Sequence, residues 1–433
     1  MDEPGSSAVE RRAFRRWLLG IVAVGLVIRL VVVALASRDL PFGDGIWYHT
    51  QAQIIAGGFG YLAPGQYVFA AQHLATAEHP PLFPFVLGVV DWFANSSVVL
   101  FQTTCAVLGA AGIAAIGLLG RAVGGARLGL TAAALCAVAP NIWQYDALVL
   151  SESLLVLTAG LFLLSLYRFA ARPTTGRAAV VGLTLAVATY NRTEMVLLGL
   201  LLVPLVWRNA ELVGLRSRIR LLGVAAGITL ALLAPWVVRN LTTFNTTVVF
   251  SNNQDSVIAG ANCDNTYYGP DVGSWNPVCN TGNMPKGFDQ SEVFARSRAR
   301  GIDYARDHLD RLPVVVVARV GRAWDVFRPF QGMGNDGRSD ALTIASALSF
   351  YVLVVLGAFG ALQLHRAGRR VWPLLVIAPF VTVIAAGGYG ISRLRFPLDI
   401  ALLVLAAAPL ARIIPWPGQA RDAEVFGLEK TKA

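Results

Sequence analysis

Apolar runs about twenty residues long, set off from one another by short arginine clusters, dictate what this chain can become. The first run, 18–36, follows RRAFRR at 11–16; later ones are bounded by Arg168, Arg172 and Arg177, by Arg208, Arg216, Arg218 and Arg220, and by Arg366, Arg369 and Arg370. A hydrocarbon layer ~30 Å thick is crossed by one helix of ~20 such residues. Within that layer every backbone polar group must be paired, so the pattern specifies helices that cross a bilayer. Composition agrees: of 433 residues 55% are hydrophobic and 14% charged, with a mean hydropathy of +0.57, too apolar for a soluble domain of this length. The net charge of +10 does not point to a nucleic-acid partner, because the arginines fall where cytoplasmic anchors fall, between spans. Arginine far outnumbers lysine and Ala, Val, Leu and Gly dominate, a composition that points to a GC-rich bacterium and its cytoplasmic membrane.

About ten crossings are expected, near 18–36, 97–119, 128–146, 151–169, 178–190, 195–207, 220–238, 341–363, 371–388 and 397–413. The stretch 178–207 resembles one long span, but the arginine clusters on both sides of it belong in the cytoplasm, which requires two short crossings. The same reasoning puts both termini in the cytoplasm and makes residues 1–433 a single membrane domain. Outside lie a first loop, 38–96, a long loop, 239–340, and the turns at 191–194 and 390–397. ALAS at 34–37 resembles a signal-peptidase site, but the run before it has the full length of a span and is expected to be retained. Residues 82–93 follow His79-Pro80-Pro81 and read as a juxtamembrane or re-entrant helix, since a full span there would invert every later loop. Consecutive prolines hold the chain extended, and a rigid bend is the first role of His79-Pro80-Pro81.

Nearly all residues with chemical character collect on the outer side. Cys263 and Cys279 flank YYGPDVGSW in the long loop. Two thiols so placed outside the cytoplasm are expected to pair, with a stabilisation of ~3 kcal/mol for a loop of this size. No histidine or second cysteine pair stands at metal-ligand spacing beside them, and Cys105 and Cys136 read as small core residues within spans. Arg29 sits in the middle of the first span, where an intramembrane ion pair and a ligand contact are both open. Trp47, Tyr48, Tyr67, Trp143, Tyr145 and Trp275 are either interfacial anchors or sugar-stacking surfaces.

Five short elements follow one another on this outer side: D-x-x-x-Y (Asp44, Tyr48), HPPLFPF at 79–85, LSES at 150–153, YNRTE at 190–194 and RLRFP at 393–397. In that order and with that shared sidedness they resemble the GT-C membrane glycosyltransferases, in the branch of the protein O-mannosyltransferases and lipid A aminoarabinose transferases. The resemblance implies an all-α polytopic membrane protein whose first outer loop carries a catalytic Asp. It implies transfer of a monosaccharide, with inversion, from a polyprenyl-phosphate donor to a glycan, lipid or protein acceptor on the outer face. Asp44 is then the base, because an acceptor hydroxyl is a poor nucleophile until a carboxylate takes its proton. The leaving lipid phosphate needs fixed cations, and Arg192, Arg239, Arg393 and Arg395 are at hand, with Tyr48, Glu78, His79 and Glu152 as further donor or substrate contacts.

Several positions keep a second reading. Asp44 between glycines can begin a helix, Glu152 and Glu194 can cap helices or pair arginines, and His79 is a lesser candidate for ligand or acid. Relatives often carry a second acid directly after the Asp; here that position is Gly45, so a one-acid site is implied, with Glu78 as the nearest substitute. No cofactor is required by this chemistry, and a divalent metal stays open. Two alternative functions have the same outline: an arabinofuranosyl or other pentosyltransferase of cell-envelope glycan, and a lipid or sugar transporter or flippase. The transporter should show inverted repeats with broken helices meeting at mid-membrane, and no such repeat is present in the sequence.

Overall fold

The computed structural model describes residues 8–40, 43–209, 214–280, 287–331 and 339–417. The two chain ends expected in the cytoplasm, and Pro41 and Phe42 ahead of Asp44, lie outside the described residues. Among the described residues the fold is helical, with one isolated antiparallel bridge between Leu62 and Ala75.

Among the described residues six helices are long and apolar enough to cross a membrane, or seven if one bent pair counts as a span. The six are α1 (Ala8–Leu35), α4 (Val98–Gly124), α6 (Glu152–Ala171), α8 (Leu215–Thr243), α12 (Asp340–Arg366) and α14 (Phe396–Ile413). The expected span at 128–146 is α5 (Ala126–Val138) running into a short turn from Pro140, bent by 63°. Pro140 forces this break, since it cannot donate into the preceding turn. The two short crossings at 178–207 are separate legs, α7 (Thr175–Asn191) and the tight helix Thr193–Trp207, which meet at Arg192. The segment expected at 371–388 is a short apolar helix, Trp372–Gly387, whose main part is α13 (Ile377–Gly387). Every expected crossing is therefore helical, and among the described residues six meet the length of a full span as single helices.

The core is made of α4, α6 and α14, the latter two buried over most of their length. Small residues let these helices approach. A Cβ on Gly112 of α4 would sit 2.4 Å from Val156 of α6, and one on Gly360 of α12 would run into the Leu405 carbonyl of α14. Arg29 of α1 is fully buried and pairs with Asp146 at 3.0 Å, while Ser153 Oγ donates to the other Asp146 oxygen at 2.6 Å. Gly109 leaves the room that this arginine occupies. The intramembrane ion-pair reading of Arg29 is the one the structure contains.

Outside the core, the first loop forms α2 (Asp44–Ala56) and α3 (Leu82–Ala94), two helices of 13 residues packed against each other. At 1.5 Å per residue α3 is ~20 Å long, too short to span, as its juxtamembrane reading requires. The long loop folds into α9 (Asn253–Ala261), α10 (Gln290–Asp307) and α11 (Leu312–Ala323), with a Cys263–Cys279 disulfide closing the segment after α9. Cys105 and Cys136 are free and buried.

Candidate active site

Gly43, with φ 118°, turns the chain through a conformation that a side chain would strain, and α2 begins at the next residue, Asp44. The Asp44 carboxylate reaches sideways to Arg393, which donates to it through Nη2 at 2.9 Å. Arg393 belongs to the tight turn Ser392–Arg395 that leads into α14. Its Nε donates to Glu152 at 2.7 Å. Glu152, the first residue of α6 and fully buried, also accepts from Arg192 Nη1 at 3.0 Å. Arg192 in turn holds Glu194 at 2.7 Å. Three carboxylates and two guanidiniums thus alternate in one row, drawn from the first loop, the LSES element, the YNRTE turn and the RLRFP turn.

Asp44 is the open end of the row: its side chain keeps 34% of its exposure, against 12% for Arg393. Burial pushes its carboxyl up, but the charge of Arg393, then of His79, and the Arg393 hydrogen bond outweigh this and hold it below the ordinary carboxylate value. His79 Nε2 lies 3.6 Å from the second Asp44 oxygen. Its Nδ1 faces the Tyr48 hydroxyl at 3.4 Å, and its ring sits edge-on to Trp47. The other acid of this loop, Glu78, accepts from Trp47 Nε1 at 3.0 Å and from Gln290 Nε2 at 3.4 Å. Burial is the main influence on Glu78, and it raises that carboxyl above its ordinary value despite His79 and Trp47. Burial also raises the Tyr48 phenol, helped by the Asp44 charge.

These groups open onto a cavity of ≈ 180 Å³. Its lining combines Asp44, Glu78 and His79 of the first loop, Asn253, Ser256 and Trp275 of the long loop, and Tyr389 and Arg393. The disulfide-closed segment carries Trp275, and Asn280 just beyond it donates to Ser256 Oγ at 2.6 Å. A second, larger cavity of ≈ 650 Å³ lies between the short helix after Arg192 and α8, with walls of Val196, Leu230, Leu233 and Val237. The segment 247–252, with Gln254 and the Asp255–Arg298 ion pair, completes its lining, so that Asn252 lines this larger chamber and Asn253 the smaller one.

Of the residues expected at the site, the structure brings together Asp44, Tyr48, Glu78, His79, Glu152, Arg192 and Arg393. It places two elsewhere. Arg239 donates to the carbonyls of Thr76 and Tyr61 at 2.7 and 3.2 Å and lies over Trp236, bracing the first loop from behind. Arg395 is 2% exposed and pairs with Asp325 at 2.6 Å and Asp399 at 3.4 Å. Gln290 was not singled out by the sequence, yet it accepts from Ala77 N and donates to Glu78. Its helix start is visible as the capping box Asp289 to Glu292, but nothing local signals a contact with a loop some two hundred residues away. Among the described residues there is no group of three His, Cys, Asp or Glu side chains placed to hold a metal ion.

Residues 78–238 match the family described as dolichyl-phosphate-mannose-protein mannosyltransferase. No curated protein sequence matches the chain. Among solved structures it is similar to the oligosaccharyltransferase of Archaeoglobus fulgidus in its apo form, with a TM-score of 0.55 and 14% identity over 91% of this chain and 50% of that one. The archaeal oligosaccharyltransferase AglB from Archaeoglobus fulgidus, in complex with an inhibitory peptide and a dolichol-phosphate, gives a TM-score of 0.53 and 12% identity over 92% and 50%. ArnT from Cupriavidus metallidurans bound to undecaprenyl phosphate gives 0.42 and 18% over 90% and 77%. The chain spans about half the length of the oligosaccharyltransferase it matches.

Proposed function

We propose, on the premise that the chain is a member of the GT-C superfamily by its fold, that it is an inverting glycosyltransferase using a polyprenyl-phosphate sugar as donor. The observation that carries this reading is the Asp44 carboxylate, ionised and partly exposed in a polar cavity, with Arg393 against it. The acceptor hydroxyl gives its proton to Asp44 as its oxygen forms a bond to the anomeric carbon. The bond from that carbon to the phosphate oxygen breaks, and the lipid phosphate leaves with the electron pair. Because attack comes from the face opposite the leaving group, configuration inverts. Charge growing on the phosphate is met by Arg393 and Arg192, held in place beforehand by Glu152 and Glu194. His79 and Tyr48 orient Asp44, and Trp275 and Tyr389 offer flat surfaces to a sugar.

The donor lipid belongs to the membrane in which the helices sit, and the acceptor is a glycan, lipid or protein of the cell envelope reached from the outer face. We read the sugar as a hexose, in keeping with the family matched by 78–238; a pentose is the alternative. Purified protein in nanodiscs, supplied with polyprenyl-phosphate hexoses and pentoses and a panel of acceptors, tests this. Transfer is expected from a lipid phosphate donor with inversion seen by NMR of the product. Retention of configuration, or transfer from a nucleotide sugar instead, would overturn it.

A further inference from the structure

A third cavity lies at the opposite end of the molecule. α6 begins at Glu152 in the catalytic row and ends at Ala171, and 20 residues at 1.5 Å each put ~30 Å between the two ends. At that far end a cavity of ≈ 380 Å³ is framed by the end of α4, the end of α6, Asn209, and the Gly368, Arg369 and Arg370 connection after α12. We propose that it is a binding site for the phosphate headgroup of an anionic membrane lipid.

Arg369 and Arg370 line the cavity, and the adjoining turns carry Arg168, Arg172 and Arg177. Of the stretches that frame it, 120–127, 168–177 and 364–372 contain no Asp or Glu, while Glu211, two positions after Asn209, lies outside the described residues. Where these arginines make bonds, the partners are neutral carbonyls. Arg370 Nη1 donates to Ala170 O at 2.8 Å, and Arg177 Nη1 donates to Arg168 O at 2.6 Å. The row around Asp44 shows the contrary habit, each guanidinium there matched by carboxylates. Among the described residues no carboxylate lines this pocket, and a cationic pocket of that kind recruits an anion from outside.

Shape then selects the anion. The connection is pinned, because Tyr167 OH donates to Arg370 O at 2.6 Å and Asn209 Nδ2 donates to Ala170 O at 3.3 Å. The pocket is thus a fixed recess instead of a loose loop. Its remaining lining is apolar, Ala122, Val123 and Ala171, and Leu375 and Val376 just beyond the arginines are exposed. A phosphate seated on Arg369 and Arg370 with hydrocarbon running along those residues satisfies both halves of the lining. A free phosphate satisfies one.

Native mass spectrometry of the full chain, released from nanodiscs of phosphatidylcholine with or without phosphatidylglycerol, reads retained lipid directly. Phosphatidylglycerol is expected to be retained and phosphatidylcholine not. Arg369→Gln should lower retention about five-fold, and Arg369→Gln with Arg370→Gln roughly twenty-five-fold, at ~1 kcal/mol for each charge. Arg369 is tied to the fold by its backbone N, which donates to Leu364 O at 2.9 Å and is kept in Arg369→Gln, so the single variant stands if the double one misfolds, and Arg369→Lys should keep most of the retention. Arg296→Gln, an exposed arginine of the long loop over Phe288, should change nothing. Unaltered retention in Arg369→Gln, or an equal loss in Arg296→Gln, would overturn the site. Displacement of the lipid by soluble glycerol phosphate at matched concentration would reassign it to a free phosphate.

Discussion

Asp44 and Arg393 stand 349 positions apart in the chain and meet at 2.9 Å. The proposed base is therefore held by the cation that the donor phosphate would need. In the proposed reaction, arrival of the phosphate draws Arg393 toward it and releases the carboxylate, so that the base becomes free when there is a donor to use.

Asp44→Asn keeps shape and removes the base. Single-turnover transfer should fall by ~10²-fold or more while donor-lipid affinity holds or rises, since Arg393 is no longer shared. Glu78→Gln should cost less than a few-fold by the same assay. A normal rate in the Asn variant would return the base to Glu78.

The two acids also separate by pH. Asp44 lies below the ordinary aspartate value of 3.8, and Glu78 above the ordinary glutamate value of 4.5. If Asp44 is the base, the acid limb of kcat/KM falls below pH 3.8; with Glu78 it would appear above 4.5. The sign for stability follows the same direction. The Asp44 pair contributes fully above the unfolded value and is lost as pH falls through the lower folded one. Initial rates and unfolding midpoints over an acid series check both.

Glu152 and Arg395 should behave differently from each other. Glu152→Gln leaves Arg192 and Arg393 without the carboxylate they share, which should cost ~3 kcal/mol of stability and weaken donor binding as the two cations part. Arg395→Gln strands Asp325 and Asp399 and should cost a similar amount with donor affinity unchanged. Thermal unfolding in detergent, beside donor titration, reads both quantities. A loss of donor affinity in the Arg395 variant would bring that residue back to the phosphate.

How much of this was readable in the chain depends on distance. The apolar runs marked every expected crossing as a helix because span length is a local property, but α2, α9, α10 and α11 of the outer loops lie outside those runs, and the break at Pro140 fell inside a span expected to be continuous. Cys263 and Cys279 paired as their flanking sequence suggested. The row from Asp44 to Glu194 was visible as separate motifs, each at a helix start or a turn. Which arginine serves which acid was not visible, because RLRFP places Arg393 and Arg395 two residues apart on a tight turn. One faces the cavity and the other the interior, a choice made by Asp325 and Asp399.

The disulfide holds the wall that carries Trp275. Cys263→Ser should lower stability by ~3 kcal/mol and raise KM more than it lowers kcat, because the cavity loosens while Asp44 and Arg393 stay. Steady-state kinetics with and without reductant on the native chain give the comparison; a kcat loss with unaltered KM would place the loop in the chemistry.

Sidedness has its own check. Reporter fusions at Asn209, beside the arginine-rich end, and at Ser256, in the cavity wall, should report opposite compartments. Agreement between them would put the two ends of α6 on the same side and undo the membrane assignment.

The two chambers adjoin at the start of α9, where Asn253 and Ser256 line the smaller one and Asn252, Gln254 and Asp255 the larger. Just ahead of that helix Ser251 Oγ donates to the Glu78 carbonyl at 2.5 Å, and Asn252 N donates to the Ala77 carbonyl at 3.0 Å. The wall of the larger chamber is thereby bolted to the loop that carries Glu78 and His79, and whatever presses on the one is felt by the acids of the other.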